Sequence, residues 1–160
     1  MIAPLAKGAH RQQLWQWSAL GVFALALSGV FAILLLLSRT PFTSENIPWP
    51  EDFFQKGLVA HVALSFVVWF LAVLGALNTA MVPNSQRFSF INLSVLLDRL
   101  AILFSVAGTM AILIPAFGNQ GEPSLNNYIP VIIDPIFYWG LGLLTLGIFI
   151  SVIRVFINLS

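Results

Sequence analysis

The sequence predicts an all-α fold: an integral membrane bundle of four transmembrane helices with both termini in the cytoplasm. Hydrophobic residues make up 59% of the 160-residue chain and charged residues only 8%, where a soluble domain carries about 25%. Four apolar runs each reach the roughly 20 residues needed to cross a bilayer. They lie at about 14–38, 57–82, 93–116 and 130–157. Lysine and arginine set the orientation. Lys7, Arg11, Arg87, Arg99 and Arg154 fall toward one side. Arg39 and Lys56 fall toward the other, diluted by Glu45, Glu51, Asp52 and Glu122.

The first run is too long for a cleaved signal peptide and has no A-x-A-like site after it. Trp15 and Trp17 at its start suit an interfacial aromatic belt, as do Trp49, Tyr128, Tyr138 and Trp139 near the opposite face. "SRTPFTSENIPWPEDFFQ" ends the first run, and "PWPEDFFQKG" within and beyond it reads as a short interfacial helix opened by Pro50. "PNSQRF" punctuates the second run and "GNQGEPSLNNYIP" the third. The chain reads as a single transmembrane domain.

Small residues mark where helices approach in lipid. The second run carries His61, Ser65, Val68, Ala72, Ala76 and Thr79 at helical spacing, with bulky Phe66, Trp69, Phe70 and Leu74 mostly elsewhere. The first has Gly21, Leu25, Ser28 and Ala32 in line. The fourth has Gly140, Leu144, Gly147 and Ser151. Two readings stay open: close helix packing, or room left beside His61 for a flat prosthetic group.

A histidine within an apolar run is expensive and normally has a partner. His61 sits in "KGLVAHVALSFVVWF", a few residues inside the outer edge, so its cost is moderate. A neutral imidazole there could hydrogen-bond to a carbonyl or to Asp134, or ligate a haem iron. His10 is the other histidine and lies at the opposite face, across a core about 30 Å thick, so the two cannot share one iron. Met110 is an internal alternative as second ligand, although a methionine in a span is more often packing filler. Among other polar residues, adjacent Asp98 and Arg99 do not face each other. Arg154 is placed to snorkel to the interface, and Asn78 and Thr79 suit interhelical hydrogen bonds.

Composition excludes several classes. With 0 cysteines there is no disulfide, thiolate metal site, iron–sulfur cluster or thioether-linked haem. A net charge of +1 argues against nucleic acid. The chain has no paired carboxylates, Ser/His/Asp set or phosphate-binding glycine loop, hence no complete active site.

From about residue 53 to 156 the segments resemble, in order, the amino-terminal part of haem–copper oxidase subunit I, the family of oxygen and nitric oxide reductases. "FFQKGLVAHVALSFVVWFLA" is similar to the family's helix bearing a low-spin-haem histidine, "MVPNSQRFSFINLSVLL" to its inner loop and third span, and "LNNYIPVIIDPIFYWGLGLLTLGIF" to an outer loop and fourth span. The resemblance implies that His61 is an axial ligand of a non-covalent b-type or a-type haem. Val62 follows it where many members have glycine. The family fold has far more spans than these four, and its binuclear centre lies in the part not matched. Three arrangements follow: a split oxidase, a cytochrome sharing haem between two copies, or an accessory subunit.

The leading expectation is therefore a haem-binding electron-transfer subunit of a respiratory or related membrane complex. Ser65, Val68 and Ala72 would line the haem slot, and Asp134 would be the imidazole's hydrogen-bond acceptor. Other membrane subunits or a second copy would supply the second ligand, and a quinone or cytochrome would exchange electrons. The expected location is a bacterial or organellar inner membrane. The alternative is a non-haem structural subunit, which requires the slot to be filled by side chains. A channel or transporter lined by Asp98, Asn78 and Thr79 is a third, weaker reading.

Overall fold

The computed structural model describes residues 3–82, 91–118, 121–126 and 129–159. The 83–90 connection, with Arg87, and Tyr128 lie outside the described residues. Helix α1 (Ala3–Arg39) is built from strong helix formers, leucine, alanine and glutamine, and its apolar portion begins at His10. It stops because Pro41 biases Thr40 to extended backbone (φ −77°, ψ 129°).

Pro41 also opens α2 (Pro41–Asn46), a single short helix. The short helix thus lies at 41–46, not at the "PWPEDFFQKG" stretch. Trp49 instead donates its indole N–H to Thr43 O (3.1 Å) and packs on Phe53, ring centroids 4.9 Å apart. From Phe53 the chain is already in the second span.

That span has three parts: α3 (Phe53–Val62), a π-helical segment (Ala63–Val68) and α4 (Trp69–Met81). Helix α5 (Ile91–Phe117) is the third long helix. A two-stranded antiparallel hairpin follows, β1 (Glu122–Ser124) with β2 (Val131–Ile133), in the register Glu122 opposite Ile133. Gly121 enters it at φ +80°, where a Cβ would come within 2.6 Å of Ile132. Helix α6 (Pro135–Leu159) completes the described chain. The expected fourth run therefore starts five residues late, because 131–133 pair as a strand.

The four long stretches, His10–Arg39, Phe53–Met81, Leu93–Phe117 and Pro135–Asn158, are each long and apolar enough to cross a membrane. Their outer faces carry exposed Val22, Leu36, Phe66, Phe70, Phe149 and Phe156, as suits lipid-facing surfaces.

Glycine sets the two tightest packings. A Cβ on Gly108 would lie 2.6 Å from both Gly140 O and Leu144 N, and one on Gly147 2.6 Å from Ala101 O. So α5 and α6 approach backbone to backbone, as small residues allow. Trp17 lies flat on Gly75, and Gly21 faces Ala72. These contacts pair α1 with the second span. Trp17 is fully buried here and is no belt residue, whereas Trp15 and Trp139 are exposed as expected.

Candidate functional site

His61 lies eight residues into its helix, about 12 Å from the start at 1.5 Å per residue. Its imidazole is half-buried against α1. Nδ1 is 2.9 Å from Ser28 O and 2.9 Å from Ser28 Oγ, and the Ser28 hydroxyl is also 3.1 Å from the His61 carbonyl oxygen. A backbone carbonyl only accepts, so Nδ1 carries the proton and donates it to Ser28 O. The Ser28 hydroxyl in turn donates to His61 O. In a neutral imidazole this leaves Nε2 with its lone pair free. Among the described residues the hydrogen bonds of this side chain all end on Ser28.

Two further features lie on the backbone beside it. Ser65 donates its hydroxyl to His61 O at 2.7 Å. The π-helical segment begins two residues after His61, and at its end the Trp69 N–H reaches back to Leu64 O. Such single π turns are frequent at functional sites.

The other expected members of the site are placed differently. Asp134 is buried and accepts the Ile136 N–H through Oδ1 at 2.7 Å, capping α6 just before Pro135. Ser28, not Asp134, is the imidazole's partner. Met110 is half-exposed in a groove between α1 and α5, apart from the Ser28–His61 pairing. Val68 and Ala72 are buried, Ala72 against Gly21. The face below Ser65 is thus closed by α1. Among the described residues it offers no slot for a porphyrin. His10 is at the other end: it lies eighteen residues from Ser28 on α1, about 27 Å along the helix.

That other end holds a buried polar cluster that composition did not reveal. Arg154, 3% exposed, pairs with fully buried Asp98. It also donates Nε–H to Ser94 Oγ (3.0 Å) and Nη2–H to Gln13 Oε1 (2.7 Å). Thr79 donates to Asp98 Oδ1 at 3.3 Å, and Asn78 to Ser151 Oγ at 3.3 Å. Each long helix contributes a member. Arg154 therefore does not snorkel outward; paired inside, it avoids the unpaired buried charge that snorkelling would also have avoided. Asn78 and Thr79 do form the interhelical bonds read from sequence. The indole N–H of buried Trp17 lies beside Asp98, a further donor toward its carboxylate. At the opposite end, buried Lys56 donates to Gly118 O at 3.0 Å and sits 4.0 Å from Asp52. It clasps the second span to the third.

Among the described residues no group of three or more His, Asp or Glu is placed to hold a metal ion. No protein-family profile matches the chain, and no solved structure matches it. It is similar to a protein of Aquifex aeolicus (strain VF5) described as uncharacterized, 31% identical over 138 residues, covering 86% of this chain and 32% of that one. It is also similar to the uncharacterized protein RP382 of Rickettsia prowazekii (strain Madrid E), 26% identical over 155 residues, covering 87% of this chain and 30% of that one. The chain spans about a third of the length of these curated relatives.

Proposed function

We propose that this chain is the haem-bearing portion of a larger membrane electron-transfer protein, with His61 as an axial ligand through Nε2. The observation that carries the reading is the Ser28 carbonyl on Nδ1, which fixes the tautomer that ligates. The donor set fits one axial position and no more. With the groove at Val68 and Ala72 closed, a haem would lie on the outer side of the His61 helix, against another polypeptide or a second copy. That neighbour would supply the second ligand. A bound haem supplies a one-electron carrier. This chain's part is to hold the imidazole, keep its proton on Nδ1 and present Nε2. About two thirds of each curated relative lies outside the match, length enough for the further spans that the oxidase resemblance calls for. We place both termini in the cytoplasm, and His61 toward the outer face, where an outer-side donor or a quinone would exchange electrons.

The closed groove favours a second reading, a non-haem structural subunit in which Ser28 and His61 simply join two helices. A reduced-minus-oxidised absorption spectrum of the chain purified with haem b distinguishes the two. The haem reading predicts that the wild type retains haem, with a low-spin α-band where a second copy completes the ligation, and that His61→Ala retains none. A folded, colourless wild type supports the structural reading.

A further inference from the structure

A groove of about 700 Å³ opens sideways between α1 and α5, at the end of the bundle that holds the termini. This volume lies within the range of small-molecule sites. One end is polar: Arg99 from α5 faces Gln12, Gln16 and Trp15 from α1. From there it runs apolar past Leu20, Phe23 and Val106 to Met110. Met110 is eleven residues beyond Arg99, about 16 Å along α5. A small pit of about 40 Å³ adjoins the polar end and shares Gln12, Gln16 and Arg99 with it.

Arg99 decides what fits. It lies six residues inside the apolar stretch that starts at Leu93, yet it is exposed and belongs to neither of the two ion pairs among the described residues, Lys56–Asp52 and Arg154–Asp98. A guanidinium there reaches the headgroup level of a bilayer, where an anion offsets its charge. Its planar fork suits a phosphodiester, and the two glutamine amides add neutral donors. Charge confined to one end, with about 16 Å of wall beyond it that is apolar but for Thr109, whose hydroxyl is spent on Ser105 O, matches a molecule with one charged head and a long tail standing along the helices.

We infer that this groove binds one anionic phospholipid, its phosphate on Arg99, Gln12 and Gln16 and an acyl chain along Leu20, Phe23 and Met110. The site shares no residue with the Ser28–His61 pairing and does not depend on haem.

The test is native mass spectrometry of the whole chain in mild detergent with added dioleoyl-phosphatidylglycerol or dioleoyl-phosphatidylcholine. The wild type retains one phosphatidylglycerol in preference to phosphatidylcholine by about tenfold, and excess inorganic phosphate does not displace it. Arg99→Gln, at an exposed position and checked for unchanged helicity, removes the preference. Met110→Trp narrows the apolar end and weakens both lipids. His61→Ala retains the lipid, so failure of the haem reading leaves this one standing. Equal retention of the two lipids, or an Arg99→Gln variant that still prefers phosphatidylglycerol, overturns the inference. So does efficient cross-linking of a Leu103→Cys variant to another polypeptide in native membranes, because a protein helix would then fill the groove.

Discussion

A carbonyl oxygen accepts hydrogen bonds and never donates, and at His61 that single fact sets the chemistry of the ring. With Ser28 O 2.9 Å from Nδ1, the proton stays on Nδ1, and the Ser28 hydroxyl is free to bond the His61 carbonyl. The residues were all visible in the sequence, and Ser28 stood on a small-residue line. The pairing was not visible, because a serine 33 positions away is joined to His61 only by how α1 meets the second span. Arg154 teaches the same lesson. Its position near a helix end suits snorkelling, yet Asp98, Ser94 and Gln13 converge on it from two other helices. Removing one partner of a buried pair costs about 3–5 kcal/mol, while replacing both by apolar groups is often neutral. Arg154→Leu therefore lowers the thermal midpoint in detergent strongly, and Asp98→Leu/Arg154→Leu recovers most of the loss. A double variant no more stable than the single one would contradict the pairing.

Each long helix was legible as an element from hydropathy alone, because lipid tolerates no other short route for an unbroken apolar run. The 3.6-residue face drawn from His61 holds at Val68, Ala72 and Thr79, all buried, while Gly75 rather than Ala76 meets Trp17. No residue type announces the π turn at 63–68. In the fourth span, Gly140, Leu144, Gly147 and Ser151 all face the bundle as read. That face yields a sharp contrast. A Cβ on Gly147 would meet the backbone of α5, whereas one on Gly142 meets nothing within 4 Å. Gly147→Leu should therefore separate α5 from α6 and lower the thermal midpoint by several degrees or abolish folding. Gly142→Ala should leave stability unchanged or raise it slightly, since alanine is the better helix former. Equal effects of the two would contradict the close approach.

The whole bundle is tied at both ends by buried polar groups and in the middle by glycine and small residues. The Arg154 cluster joins all four long helices at the end bearing the termini, and Lys56 joins the second and third at the other. His61 and Ser28 add a third tie. The chain covers about a third of the length of its curated relatives.

The most direct measurement is chemical rescue of the ligand: His61→Gly purified with haem b, desalted with and without imidazole, beside the wild type. If Nε2 ligates haem, the variant is colourless alone and, with imidazole in the vacant position, regains the haem spectrum of the wild type, retained through desalting. A variant that keeps the wild-type band without imidazole, or a wild type that holds no haem while fully folded, would contradict His61 as the ligand.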